Sequence, residues 1–199
     1  MTTPGQRRHV PHSFITTLSP LVNVDGEGRD PAMELREQLM LSNQTNSPFL
    51  TCPMVHMARL SIIHDIVPAL GDVNGDHLGS KYLLFIAELD GDVNDFLDHF
   101  YAHAPDFIHA VWGICHGYPE YRGAVFFRRY MQRCSQPVQL PYAAFPDTVE
   151  EVLCQLQVQD RVRRFALEQS GAGPEQLLEA FRELERELDA LPPPPPGSI

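Results

Sequence analysis

The sequence predicts an α+β domain of ferredoxin-like type, in which helices cover one face of an antiparallel sheet, with an amphipathic helix added at the C-terminus. Stretches typical of strands are interspersed with stretches of helical periodicity. Their order is β-α-β-β-α-β-α, and the first six elements match the split βαβ arrangement. With 43% hydrophobic residues, this chain of 199 residues can also bury a core.

The N-terminal part predicts a flexible arm, a strand and a helix. Residues 1–12 are polar and contain proline, as mobile termini often do. Residues 14–24 are rich in β-branched and apolar side chains and predict the first strand. Asp30 can cap a helix that begins at Pro31, because proline suits the first helical position. This helix should end near residue 42.

Two strand signals follow. Residues 55–67 alternate between two faces, and residues 81–89 are apolar on both faces, which places the second strand at the centre of the sheet. Residues 68–80 between them are rich in Gly, Asp and Asn and predict a loop. Asp92 or Asn94 can then cap a helix.

The second half of the domain is mainly helical in this interpretation. Pro105 ends or kinks the helix before it, because proline lacks the backbone donor. Apolar residues at helical spacing predict a second helix that reaches Cys115 and a further short helix over 125–133. Residues 137–145 predict the last strand, and 147–169 a long helix.

The C-terminal segment is expected to be separate. The predicted domains are an arm over 1–12, an α+β domain over 13–170 and an appendage over 171–199. Residues 174–191 form an amphipathic helix, and five consecutive prolines follow it. A lone helix this short is marginal in water, so it should dock on its own domain or on a partner.

Composition limits the classes of function. The net charge is −11 and the basic residues form no long patch, so binding to nucleic acid is not expected. No apolar run approaches the ~20 residues that span a bilayer, and the N-terminus lacks the apolar core of a signal peptide. Four widely spaced cysteines predict reduced thiols in a cytoplasmic protein rather than a zinc site.

His56 and Arg59 are the candidate catalytic residues. They stand at the start of the strongest strand, where regular alternation puts them on opposite faces. The imidazole could bind a metal or move a proton, and the guanidinium could hold an anionic group. The alternative is a histidine bonded to a loop carbonyl and an arginine that reaches solvent or a carboxylate.

His109, Trp112 and His116 are the candidate cofactor-binding residues. The two histidines are seven residues apart and share a helical face beside the tryptophan. An apolar pocket flanked by two imidazoles suits haem or another flat ligand, with one imidazole as axial ligand. The alternative is a core tryptophan with two histidines at the edge of the core.

A third histidine pair has the spacing of metal ligands. His99 and His103 lie four residues apart on one helical face, with Asp95 one turn earlier. Two imidazoles and a carboxylate can hold a divalent ion. The alternative, which the pattern favours, is a solvated polar face opposite the apolar stripe.

Three motifs resemble those of a largely uncharacterised family in the dimeric α/β-barrel superfamily of ferredoxin-like folds. The residues that carry the resemblance are Pro48-Phe49…Pro53…His56-x-Ala58-Arg59, then Leu84-Phe85…Asp90-Gly91-Asp92, and Trp112…Cys115-x-Gly117-Tyr118-Pro119. The resemblance covers residues 47–168. In that family a histidine often precedes the cysteine, whereas this chain has Ile114 there and His116 after it. A His–Cys pair is therefore not carried over.

The resemblance implies a homodimer that encloses a small apolar ligand. The superfamily includes haem peroxidases, cofactor-free monooxygenases and members without known activity, so the expected enzyme is a small oxidoreductase with haem or oxygen chemistry. The alternative comes from the C-terminal segment. In that hypothesis the chain is a non-catalytic assembly or regulatory module that acts through its 174–191 helix.

Overall fold

The computed structural model describes residues 12–23, 28, 30–41, 46–65, 77–140 and 147–198. The chain divides into two compact units, Met1–Pro146 and Asp147–Ile199. The elements described in the first unit are β1 (His12–Pro20), α1 (Pro31–Leu41), a short 3₁₀ helix (Pro48–Thr51), β2 (Val55–Ile63), β3 (Tyr82–Asp90), α2 (Val93–His103), α3 (Pro105–Trp112) and α4 (Ala124–Cys134). Those described in the second unit are α5 (Val149–Glu168) and α6 (Pro174–Ala190).

The three described strands form an antiparallel sheet in the order β1-β3-β2. This confirms the α+β class and the central position of β3. In the register between β1 and β3, His12 pairs with Asp90 and Thr17 pairs with Phe85. An isolated bridge also joins Thr17 to Ser135 on the other side of β1.

No strand is seen in the described part of the segment 137–145, where the sequence predicted the last strand. Residues 137–140 are not in a strand, and residues 141–146 lie outside the described residues. Pairing with β1 occurs just before, where the Gln136 amide donates to the Thr16 carbonyl at 2.8 Å. Pro137 then follows, and a residue without a backbone N–H cannot extend the ladder as a donor.

Several other boundaries differ from the sequence prediction. His12 belongs to β1, whereas the rest of the predicted arm lies outside the described residues. Strand β2 ends at Ile63 instead of residue 67, and most of the predicted loop over 68–80 also lies outside them.

The first face of the sheet carries the core. Its buried strand residues are Ile15, Thr17 and Ser19 on β1 and Leu83, Phe85, Ala87 and Leu89 on β3. Ala58, Leu60 and Ile62 of β2 pack against the same core. Every buried residue of helices α1 to α4 belongs to this cluster, including the aromatic side chains of Phe96, Phe100, Trp112 and Phe127. The helices of the first unit therefore build one hydrophobic layer on this face.

Along β1 and β3 the second face of the sheet is largely apolar, and its side chains there are half-buried. Phe14 and Leu18 on β1 lie beside Leu84 and Ile86 on β3. Polar residues gather at one end of this face, where β1 begins and β3 ends. This end holds the candidate site.

Aspartates begin two helices as the sequence predicted. Asp30 accepts a hydrogen bond from the Ala32 amide at 3.1 Å, directly before Pro31. Its side chain also bonds to Lys81, which is the main reason that the pKa of Asp30 lies below its usual value. Asp92 caps α2 by accepting from the amides of Asn94 and Asp95.

The second unit is a pair of helices. Thr148 and Glu151 form a capping box at the start of α5. The rings of Phe165 and Phe181 lie 6.1 Å apart, and Arg161 Nη1 lies 3.0 Å from Glu187 Oε1. Because α5 contacts α6 in this way, the division into units precedes α5, whereas the predicted domain extended to residue 170. Within the described residues, no helix combines the length and the apolar character needed to cross a membrane.

Candidate functional site

A β-bulge in β2 decides where His56 points. Val55 pairs with Leu89, and Met57 pairs with Glu88, so His56 is an extra residue with no partner of its own on β3. A bulge places two residues of one strand opposite one residue of the next. The regular alternation that predicted opposite faces for His56 and Arg59 fails at this point. Both side chains lie on the second face.

The bulge brings His56 to two residues at the end of the sheet. His56 Nε2 lies 2.8 Å from Asp90 Oδ1, and the rings of His56 and His12 stack with centroids 4.8 Å apart. Asp90 is the last residue of β3 and pairs with His12 in the register. Its amide donates to the Met54 carbonyl at 2.8 Å, which ties the end of β3 to the chain before β2. One ligand atom from each of the three side chains lies within 4.8 Å of the other two.

The cluster contains two carboxylates, and one of its imidazoles lacks a hydrogen bond. Glu88 Oε1 lies 3.4 Å from His12 Nδ1, but both ring nitrogens of His12 are buried without a partner in hydrogen-bond geometry. Side-chain exposure is 10% for His12, 17% for His56 and 12% for Asp90, so the cluster is shielded but not sealed. Buried polar atoms in proteins are normally bonded, and an orphaned imidazole requires an explanation.

The donor set fits a divalent transition metal. Two imidazole nitrogens and a carboxylate oxygen are ligands of Zn²⁺, Fe²⁺ and related ions, and such three-ligand sites leave positions for water or substrate. The part of the chain that the structure describes contains one group of three or more side chains with this geometry: His12, His56 and Asp90.

The sequence identified one member of this cluster and missed two. His56 was predicted, but His12 was assigned to the arm, and Asp90 lay just beyond the strand predicted over 81–89. These residues are brought together by the register between β1 and β3. That register pairs segments far apart in the sequence, so no local pattern reveals it. Arg59, the second predicted catalytic residue, donates from Nε to the Ser61 hydroxyl at 3.1 Å.

The three predicted cofactor-binding residues have different surroundings in the described part of the chain. Trp112 is fully buried and packs edge-on against Phe85 and Phe127, with ring centroids 5.6 and 5.7 Å away. His109 Nδ1 lies 2.5 Å from the Tyr118 hydroxyl, so its imidazole already has a partner. His116 is exposed beyond the end of α3.

The His99–His103 pair has backbone partners. Their rings stack with centroids 4.0 Å apart. His99 Nε2 donates to the Thr51 carbonyl at 2.7 Å, and His103 Nδ1 donates to the His99 carbonyl at 2.8 Å. Each imidazole thus has one nitrogen in a hydrogen bond, which favours a polar helical face over a metal site.

Cys115 lies in the core and not in an open site. It is 4% exposed, and burial is the main cause that raises the pKa of its thiol to about 12. Burial also raises the pKa of Tyr118 and Tyr130. All four cysteines are free, and none of these shifts favours a reactive thiolate.

Comparison of the chain with protein-family models, with curated proteins and with solved structures finds no match. The functional argument therefore depends on the geometry of the described residues. The arrangement with the most specific chemistry is the cluster of His12, His56 and Asp90.

Proposed function

We propose that this chain binds a divalent transition-metal ion through His12, His56 and Asp90 and uses it to bind or transform a small apolar molecule. The observation that carries the proposal is the convergence of three ligand atoms within 4.8 Å, where both ring nitrogens of His12 lack a hydrogen-bond partner. Metal coordination would give one of these two nitrogens the partner that it lacks.

Charge favours a cation at this place. With neutral imidazoles, Asp90 and Glu88 give the cluster a formal charge of −2, which a divalent ion neutralises. The competing explanation is a pair of histidine–carboxylate ion pairs. It requires two protonated imidazoles stacked with centroids 4.8 Å apart, and like charges at that distance repel.

The second face of the sheet supplies a surface for the ligand. Phe14, Leu84 and Ile86 extend from the cluster along this face and suit an apolar body. Arg59 lies on the same face and could hold an anionic group of the ligand. A metal there would polarise a bound oxygen or activate water, in a small oxidoreductase or a related enzyme.

The fold and assembly are part of the same proposal. The order β1-β3-β2, with Ser135 bridged to the outer side of β1, supports a ferredoxin-like sheet of the dimeric α/β-barrel type. A second copy of the chain would cover the half-buried second face, in a cytoplasmic homodimer with reduced thiols. An Ile86→Glu substitution should then lower the mass measured by light scattering, whereas an unchanged mass would reject this interface.

The metal site is tested by titration of protein freed of metal with a chelator. Calorimetry with Zn²⁺ should give one ion per chain, and Co²⁺ should give visible absorption bands that report its ligand geometry. His56→Ala and Asp90→Asn should each weaken binding by more than the 10- to 100-fold typical of residues that only support ligands. His99→Ala is the matched control, because His99 also stacks on another histidine outside the cluster.

Two results would reject the metal site. One is an unmodified protein that binds no ion at micromolar concentration. The other is equal weakening by His99→Ala and His56→Ala, because binding would then not depend on the cluster. In either case the ion-pair explanation for His56 and Asp90 would stand.

Haem binding through His109, Trp112 and His116 stays a prediction from the sequence. Visible spectra before and after adding hemin test it. A sharp Soret band that disappears on replacing His109 or His116 would support haem and name its ligand. A featureless spectrum would leave the metal cluster as the site of chemistry.

The second candidate function, an assembly or regulatory module, has its own observation. Among the described residues of the second unit, Leu184 is the buried one, while Leu177, Leu178 and Phe181 of α6 are exposed. Two helices with so little buried surface gain little stability from each other. Deleting residues 171–199 distinguishes the two functions. If the shortened chain loses its assembly but still binds metal, the module is supported. If the deletion changes neither property, the module is contradicted.

A further inference from the structure

A second candidate binding site lies in the first unit and involves none of the metal-cluster residues. A surface cavity of about 450 Å³ opens between the loop that follows α3 and one side of α4. Its charged lining consists of Arg122, Arg129, Arg133 and Glu120. This volume lies in the range of small-molecule sites in proteins.

Within the described residues, the three arginines of this cavity have no carboxylate partner. Among the residues that the structure describes, no carboxylate oxygen lies within 4.0 Å of their guanidinium nitrogens. Arg128, their neighbour on α4, differs because it donates to Asp98 at 2.6 Å. Carboxylates are abundant in a chain of net charge −11, so the lack of a described carboxylate within salt-bridge distance of these three arginines is a local feature.

The unpaired arginines repel each other in the absence of an anion. Arg129 and Arg133 are four residues apart on α4, a spacing at which like charges destabilise a helix. Arg122 adds a third positive charge from the loop, and Glu120 contributes one negative charge. The lining therefore has a formal charge of +2, which a dianion would balance.

The loop that presents Arg122 is held in place. Glu120 has a φ of 54°, a left-handed conformation uncommon for a residue with a side chain, and Gly117 and Gly123 also have positive φ. Such a backbone persists where its surroundings hold it. Here the Tyr118 hydroxyl bonds to His109 Nδ1 at 2.5 Å and fixes the start of the loop on α3. The cavity is therefore largely preformed.

The lining also indicates the kind of anion. Three guanidinium forks can each bond to oxygens of a phosphate, and a phosphate monoester carries a charge of roughly −1.5 to −2 and three acceptor oxygens. Tyr118, Phe126 and Tyr130 line the same cavity and offer aromatic surface for an organic group. We propose that this cavity binds a small phosphate monoester with an aromatic body, such as a nucleoside monophosphate.

Calorimetry on the full chain at low salt tests this proposal with four probes. Adenosine and uridine monophosphates should bind, adenosine should not bind detectably, and inorganic phosphate should bind at least about tenfold more weakly than the monophosphates. Arg129→Ala and Arg133→Ala should each weaken binding of the monophosphates by about tenfold or more, as expected for charge-assisted hydrogen bonds. Arg128→Ala, the matched control on the same helix, should change the affinity less than twofold.

Four results would overturn the proposal. They are no binding of either monophosphate, equal binding of adenosine, equal binding of inorganic phosphate, and equal losses from Arg128→Ala and Arg129→Ala. Thermal unfolding of each variant shows whether a loss reflects misfolding, and Arg129→Gln, which keeps the length of the side chain, is the second variant if Arg129→Ala unfolds. Binding must also survive removal of metal with a chelator, because a phosphate held at the metal cluster would be lost by that treatment.

Discussion

The thiol of Cys115 should be nearly inert toward alkylation in the folded protein. Thiolates are the reacting species, and burial raises the pKa of Cys115 to about 12. An ordinary cysteine, with a pKa of roughly 8.5, is about one quarter thiolate at pH 8, whereas Cys115 would be about one part in ten thousand. The thiolate fraction alone therefore slows the reaction roughly 2,500-fold, and its 4% exposure slows it further.

Iodoacetamide labelling at pH 8, followed by mass spectrometry of the peptides, measures this difference. Cys134 and Cys154 are half-buried and serve as internal references. In concentrated guanidinium chloride, Cys115 should react as fast as the references. If Cys115 reacts as fast as Cys134 in the folded protein, the burial described for the Cys-x-Gly-Tyr-Pro motif is wrong, and a reactive thiol must be considered.

Three further predictions concern stability. Asp30→Ala should lower the free energy of unfolding by about 1 kcal/mol at pH 7, measured in urea, because a helix cap is lost. Since the folded-state pKa of Asp30 is lowered, its carboxylate stabilises the fold above the usual pKa near 3.8, and this contribution disappears as the pH falls through the lowered value. An effect of Asp30→Ala that is unchanged in acid would contradict this. Trp112→Ala should cost about 3–5 kcal/mol, and native emission from this single tryptophan should lie at shorter wavelength than unfolded emission. Coincident native and unfolded spectra would argue against its burial. Thr148→Ala should lower the stability of helix α5 by about 1 kcal/mol, measured by thermal unfolding followed by circular dichroism. Thr148→Ser should keep most of this stability, because serine can also cap. Equal losses from the two substitutions would exclude a capping role.

Much of the first unit could be predicted because its signals are local. Strand β3 is apolar on both faces and proved central. The capping roles of Asp30 and Asp92 follow from side chains that reach amides two or three residues away. The last strand was predicted over 137–145 from local apolar character, but proline at 137 removes a donor where the ladder begins.

The candidate site could be predicted only in part because its geometry is not local. His56 stood out by residue type, but its face depends on a bulge, and a pattern of alternating residues carries no sign of the extra residue. His12 and Asp90 become neighbours through the register between β1 and β3, which is set by pairing along nine residues of each strand. Composition alone assigned His12 to the arm.

The bulge also explains how one sheet can serve both stability and chemistry. It leaves Ala58, Leu60 and Ile62 on the core face, so the hydrophobic layer under the helices continues across β2. It turns the extra residue, His56, to the second face beside Asp90, where no core residue is displaced. An unpaired strand residue costs ladder hydrogen bonds, and bulges of this kind often lie beside functional sites. Because the core and the cluster lie on opposite faces, substitutions in the cluster should change binding more than folding.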